Sequence, residues 1–278
     1  MSNMPNFAAM SESSLSITPE DVQEFANRRV YASEDEDLFA NPPKEIQEWF
    51  VGGSFESTYN EASRFLNWMM ARTFDPLPLR TLDFGCGWGR MLRLLRKMPA
   101  LEGVEMHGCD TQEAPMEAVR RSVSRVYMTP CGPLPPSRYN GATFDVIYAY
   151  SVFSHLSEEA HLAWAGEFAR ILKPGGRVCV TTQGLRMLQV CADYREGRRP
   201  ITHPWHRDLA SSFAEPGLEE KYQAGGFLFS ATQPHNPTYG ESLVPRAYFE
   251  RHWGEHGFEV TDWDESFPQV HCVMKLRA

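Results

Sequence analysis

Apolar residues in the first quarter of the chain return every three or four positions, the repeat of a helix with one buried face. The segments are "TPEDVQEFANRRV" (18–30), "PPKEIQEWF" (42–50) and "ESTYNEASRFLNWMMARTF" (56–74); in the third, Tyr59, Ala62, Phe65, Leu66 and Met69 form the apolar stripe. Thr18 is placed to cap the first helix, with Pro19 preset for its first turn and Glu20 and Asp21 at the positive end of its dipole. From Arg80 the rhythm changes to short apolar runs: "RTLDF" (80–84), "VEMHGCD" (104–110), "SRVYM" (124–128), "FDVIYAY" (144–150) and "GRVCVTT" (176–182). Amphipathic helices at 88–98, 111–122 and 157–172 separate them. Strands alternating with helices predict a parallel sheet covered on both faces, because a parallel connection needs a crossover element. Ser157 followed by Glu158 and Glu159 opens the last of these helices, and "KPGG" stops it.

After Thr182 the pattern breaks. Residues 184–244 are rich in Gly, Pro, His and aromatics and read as a long loop-like insertion, the kind of segment that forms a lid or binding region. Regularity returns with a helix in "PRAYFERHWGEHG" (245–257) and two strands, "FEVTDW" (258–263) and "QVHCVMKLR" (269–277), that finish the sheet as an antiparallel hairpin. Residues 1–16, polar and rich in Ser, Asn and Met, predict a mobile tail, and 17–75 a helical extension ahead of the α/β domain at 76–278.

One stretch concentrates the chemistry. In "TLDFGCGWGRMLRLL" (81–95), Gly85, Gly87 and Gly89 alternate between a strand and a helix, where glycine permits positive φ and close approach of a ligand to the backbone. Arg90 stands where a dinucleotide fingerprint, G-x-G-x-x-G, needs its last glycine. The next strand ends in Asp110, 27 residues after Asp83, and an acid there can take both hydroxyls of a ribose. Either feature alone has a plain structural use, a packing turn or a helix cap. Together they point to a nucleoside ligand.

Composition narrows the field further. A formal charge of −9, from 27 basic and 36 acidic residues, disfavours indiscriminate nucleic-acid binding, which needs a positive surface to displace counterions. The acidic run "SEDEDLF" (33–39) reads as a solvated segment. No apolar run approaches the roughly 18 residues of a membrane span, and the first thirty residues lack the charge pattern of a leader. Six cysteines without a CxxC pair fit a reducing compartment, so a soluble cytoplasmic protein without membrane contact is expected. His203 and His206 have H-x-x-H spacing, but Pro204 between them argues against a helix, and no metal is expected.

In order and separation, "LDFGCGWGR", "HGCDTQ" and "FDVIYAYSVFSHLSEEAHLAWAGEFARILKPGGRVCVTTQG" resemble the class I S-adenosylmethionine-dependent methyltransferases. The likeness spans about residues 80–184, looser at the C-terminus, and is nearest the bacterial subgroup with "DFGCGxGR" and "SVFxHL", associated with glycan or small-molecule modification. It implies a Rossmann-like, seven-stranded, mostly parallel sheet with S-adenosylmethionine as cofactor. By position it implies that Asp83, Gly85, Cys86 and Gly87 hold the methionine portion, and that Asp110, with Thr111 and Gln112, meets the ribose and adenine. Tyr150, Ser151 and Val152 would line the sulfonium side, and Tyr59 and Arg64 are candidates for the cofactor carboxylate. The family's acid ahead of its "LPF" is missing from "TPCGPLPP", so a backbone group near Cys131 or Gly132 would have to meet the adenine amine.

Transfer to a hydroxyl gains from a general base. His155, just beyond the fourth strand, is the candidate, although a histidine there can also simply bind a loop; His203 and His206, with Asp208, come second. Trp205, Phe213, Tyr222, Phe227, Phe229 and Tyr239 suit the wall of a sugar or other polar small-molecule acceptor, though some of them will pack the insertion onto the sheet. A nicotinamide-dependent oxidoreductase would need the glycine that Arg90 replaces. A nucleic-acid N-methyltransferase would carry Asn/Asp-Pro-Pro-aromatic where this chain has "YAYS"; its Asn41-Pro42-Pro43 lies upstream and reads as a helix start capped by Asn41. A non-catalytic cofactor-binding protein remains compatible with the motifs, because cofactor grip and acceptor chemistry lie in different residues.

Overall fold

A computed structural model describes residues 15–27, 41–51, 56–232 and 236–278. Residues 1–14 of the expected tail and the acidic run at 33–39 lie outside the described residues. Three helices come first: α1 (Pro19–Asn27), α2 (Lys44–Val51) and α3 (Glu56–Thr73). Thr18 caps α1 as expected: its Oγ1 accepts from the Asp21 N–H at 3.2 Å, and its own N–H donates to Asp21 Oδ2 at 2.9 Å. Asn41 does not cap α2. The helix begins three residues later, and Asn41 Oδ1 accepts from the Tyr59 hydroxyl at 2.6 Å instead. The stripe read on α3 is buried, and the helix is tied across the sheet by Trp68 Nε1, which donates to Asp264 Oδ2 at 2.9 Å.

The alternating strands and helices follow: β1 (Arg80–Phe84), α4 (Arg90–Lys97), β2 (Glu105–Asp110), α5 (Glu113–Ser122), β3 (Val126–Pro130), β4 (Phe144–Ala149), α6 (Glu158–Ile171) and β5 (Leu172–Thr182). The sheet closes with β8 (Phe258–Asp264) and β9 (Val270–Leu276) in the order β3-β2-β1-β4-β5-β9-β8. β1 to β5 run parallel; β9 is antiparallel to β5, and β8 to β9. This is the expected Rossmann-like sheet with its terminal hairpin. Phe65, Leu66, Leu92 and Met116 cover one face, and Phe153, Trp164, Phe168 and Trp253 the other. Ser157 caps α6, its side chain accepting from Ala160 N.

Gly85, Gly87 and Gly89 adopt φ of 71°, 52° and 76°, which delays α4 to Arg90 rather than 88. A Cβ at Gly89 would stand 2.7 Å from Val119 Cγ2. Gly89→Ala is expected to cost about 2–4 kcal/mol, from the left-handed backbone and the overpacking against α5 together. Urea unfolding checks this; a change under about 0.5 kcal/mol, ordinary for a surface site, would contradict it.

Residues 184–244 are not loop-like. They hold α7 (Arg186–Arg195), α8 (Pro204–Ser211), α9 (Leu218–Gln223) and the hairpin of β6 (Leu228–Ala231) and β7 (Gly240–Leu243). Met187, Cys191, Leu209, Tyr222, Leu228 and Leu243 give the insertion a small core of its own. Elements of four to ten residues are too short to register as a period, and Gly and Pro at their ends read as loop. Pro204 does not exclude a helix: it occupies the first turn of α8, where its missing N–H has no partner to lose. The next helix is also shorter than expected: α10 (Arg246–Tyr248) runs into a π-helical turn over Phe249–Trp253. No described helix is long and apolar enough to cross a membrane.

Candidate functional site

The site lies where β1, β2 and β4 end. Gly85 N and Cys86 N both donate to Cys109 O, at 2.8 and 3.0 Å, which clamps the glycine turn onto the end of β2. Asp110 completes the clamp: Oδ2 accepts from Gly87 N and Oδ1 from Gln112 N, each at 2.9 Å. The Thr111 backbone also bonds the carboxylate, which still keeps acceptor capacity for a ligand. Burial raises the Asp110 carboxyl above its ordinary pKa, against the pull of the backbone N–H groups that bind its charged form. Asp83 is 2 % exposed, and its Oδ2 has no hydrogen-bond partner. Its pKa stands well above the ordinary range, raised first by burial and then by Asp110, with Arg90 opposing. A Cβ on Gly85 would collide with Val152 Cγ2, so the turn passes as bare backbone beneath the segment that follows β4. Burial also pushes the Cys86 thiol up, so it is a protonated wall rather than a nucleophile.

These features fit S-adenosylmethionine. An unpaired buried carboxylate oxygen lies beside a side-chain-free cradle, and a second carboxylate with spare acceptor capacity ends the next strand. Thr111 is exposed beside Asp110. Cys131 N is taken by Asp110 O at 3.1 Å, which leaves Gly132 as the backbone candidate for the adenine amine.

Of the upstream candidates, Tyr59 is fully buried, with its hydroxyl on Asn41 and its ring edge-on to Trp88 at 5.7 Å; it belongs to the core, not to an open binding wall. Arg64 is exposed on α3. Arg90, by contrast, is buried; it pairs with Glu61 at 2.8 Å and lies 5.0 Å over the Tyr150 ring. Ser151 has φ 59°, and a closed network holds that strained backbone. Ser151 N donates to Thr181 Oγ1 at 2.7 Å, Thr181 Oγ1 to Gln269 Oε1 at 2.6 Å, and Gln269 Nε2 to Ser151 Oγ at 2.8 Å.

His155 follows one turn later, its N–H donating to Val152 O at 2.9 Å. The insertion docks here, with Gly240 N on His155 O and Ser242 N on Ser154 O, both at 2.8 Å. His155 Nδ1 lies 2.9 Å from Gly240 O and 3.3 Å from Glu241 Oε1, and its ring stacks on Tyr239 at 5.2 Å. Burial lowers the His155 pKa, but the Glu241 charge and the hydrogen bonds to Glu241 and Gly240 outweigh it, and the net shift is upward. The other histidines have structural work. His203 caps α8, Nδ1 accepting from Trp205 N at 3.2 Å, while His206 accepts from Thr202 N and stacks on Tyr194 at 4.6 Å. Among the insertion aromatics, Tyr222 and Phe227 are buried, whereas Trp205 and Tyr239 are 37 % and 40 % exposed around His155.

Residues 82–178, the span that carries this turn and both carboxylates, match the family model described as a methyltransferase domain. By this match the segment is a methyltransferase domain. This chain is 25 % identical over 138 residues to the ubiquinone biosynthesis O-methyltransferase of Vibrio cholerae, an alignment covering 48 % of this chain and 54 % of that protein. It thus spans about half the length of the curated relatives it matches. Two solved structures share the fold. A methyltransferase in complex with the Trm112 activator from Haloferax volcanii gives a TM-score of 0.55 at 13 % identity, covering 84 % of this chain and 96 % of that one. The Burkholderia thailandensis 1,6-didemethyltoxoflavin-N1-methyltransferase, with S-adenosylhomocysteine bound, gives 0.53 at 13 % identity and 84 % coverage of each.

Three parts of the candidate site carried little signal in the sequence. Glu61–Arg90 and Thr181–Gln269 join residues far apart in the chain, and no local pattern connects them. Glu241 lies within a four-residue strand with no period to mark it. Arg90 alone carried a visible signal, a basic residue directly after the third glycine.

Proposed function

We propose that the protein transfers the methyl group of S-adenosylmethionine to a hydroxyl of a polar small molecule, a sugar or a related glycan acceptor. The observation that carries the reading is His155, held through Nδ1 one turn beyond the cofactor cradle and flanked by the exposed Trp205 and Tyr239. When bound, the cofactor would supply a methyl made electrophilic by its sulfonium, with S-adenosylhomocysteine as the leaving group. The chain's residues do the rest. Asp110 would hold the ribose, and Asp83 with the Gly85–Gly87 backbone the methionine portion, with Tyr150 and Ser151 on the sulfonium side. With Nδ1 engaged, Nε2 of His155 is the nitrogen left to accept the acceptor's proton. Alignment of oxygen and methyl supplies most of the acceleration and the base a further share. The name of the Vibrio relative, an O-methyltransferase, accords with a hydroxyl acceptor.

Titration calorimetry tests the cofactor: S-adenosylhomocysteine should bind and NADH should not, and no binding of the former sinks the reading. Incubation with labelled cofactor and an extract of the source cell then shows which compound gains the methyl; a protein that binds but labels nothing is a non-catalytic binder. Because the raised His155 pKa must be crossed to give the neutral base, kcat/KM for that acceptor is expected to fall as pH drops through a value above 6.5. A profile flat from pH 5 to 8 would remove the histidine from the mechanism.

A further inference from the structure

We propose that Glu241 is the positioning residue for His155, so that the insertion itself supplies the carboxylate that orients the base. The inference rests on the reading of His155 as base.

Glu241 sits in β7, 86 residues beyond His155 and on the far side of α7, α8 and α9. Its side chain is 2 % exposed. Oε1 lies 3.3 Å from His155 Nδ1 and accepts from Trp205 Nε1 of α8 at 2.7 Å, while Oε2 is buried with no hydrogen-bond partner. A carboxylate kept only for packing would have both oxygens satisfied, since an unpaired buried oxygen is costly. This one holds unspent negative charge against an imidazole. No arginine or lysine pairs with Glu241 among the described residues, so His155 is the group its charge acts upon.

Two consequences follow for the histidine. With Gly240 O and Glu241 Oε1 both facing Nδ1, the neutral ring must carry its proton there, and Nε2 is left basic. When Nε2 takes the acceptor's hydroxyl proton, the imidazolium that forms meets the Glu241 charge at once, with no rearrangement of solvent. Trp205 fixes the carboxylate's rotamer, which ties the base to the docking of α8. The backbone allows little slack: a Cβ at Gly240 would run into Ser230 O of β6, so residue 240 must be glycine for β7 to reach His155.

The ionisable groups around the pair are few. Tyr239 stacks on His155, and burial and the Glu241 charge push its hydroxyl to about 12. The Cys191 thiol of α7 is raised to about 12, first by burial and then by Glu241. Asp208 of α8 is raised by burial and by Glu241, with His203 opposing. Asp208 and His203 act on Glu241 and on each other rather than on His155.

The test needs neither cofactor nor acceptor. In 15N-histidine-labelled protein, the His155 ring signals, identified by their loss in His155→Gln, are followed by NMR through pH 5–9. The native ring is expected to titrate above 6.5, with its neutral form protonated at Nδ1. Glu241→Gln is expected to lower the His155 pKa by about one unit or more, a tenfold drop in proton affinity. Glu241→Asp, which keeps the charge but withdraws it by one methylene, is expected to fall between, and serves if the glutamine variant does not fold. A variant titration superimposable on the native one overturns the inference, as does a neutral native ring protonated at Nε2. Failure of the two readings is separable. Normal turnover in His155→Ala overturns the base whatever the titration shows; lost turnover in His155→Ala with an unmoved titration in the Glu241 variants overturns the positioning role alone.

Discussion

Asp110→Ala is expected to weaken S-adenosylhomocysteine binding at least a hundredfold, about 3 kcal/mol, in titration calorimetry. The loss has two sources. The side chain's spare lone pairs would no longer meet the ribose, and hydrogen bonds to a charged group are worth about 1.5–3 kcal/mol each. The same carboxylate also accepts from Gly87 N and Gln112 N, so its removal frees the cradle from β2 on one side and the start of α5 on the other. Asp110→Asn keeps one acceptor oxygen and should lose less. Retained affinity in the alanine variant would place the nucleoside elsewhere.

His155→Ala is expected to cut kcat by about 10²–10⁴-fold while S-adenosylhomocysteine still binds, the range for removing a positioned general base. The separation follows from the geometry. His155 is anchored to the insertion through Gly240 and Glu241, whereas the cofactor turn is anchored to β2 through Cys109 and Asp110. The two sides meet at Val152, which packs over Gly85 and accepts from His155 N. Transfer of labelled methyl to the identified acceptor measures the effect. An unchanged kcat would show that alignment alone carries the reaction and would return His155 to the role of a loop tie.

The parts of the site that sequence made legible are local in the chain. Alternate glycines at 85, 87 and 89 have meaning because consecutive residues share one turn, and each does adopt positive φ. Asp110 was legible because a strand end places its last side chain predictably. Tyr59 shows where such local reading ends: a helical apolar stripe tells which face is buried and not what a hydroxyl on that face will meet, and Asn41, from a different segment, takes it. Arg64 and Arg90 show the same limit. Both are basic residues near the turn in space, but only the packing of α3 against α4 decides that Arg90 is buried on Glu61 while Arg64 stays outside.

By itself the sequence determined the alternation of strand and helix, the parallel sheet with its terminal hairpin, and the turn and acid of the candidate nucleoside site. Each of these follows from periods of two to four residues or from backbone demands within a single loop. Tertiary structure alone decided that residues 184–244 fold into short helices and a hairpin, that Gly240 and Glu241 come to rest against His155, and that Gln269 closes the network around Ser151. Those contacts join residues some 85 to 118 positions apart. Nothing in the neighbourhood of either partner specifies the other; they meet only after the sheet has set its strand order and the insertion's own core has placed β7 beside the loop after β4.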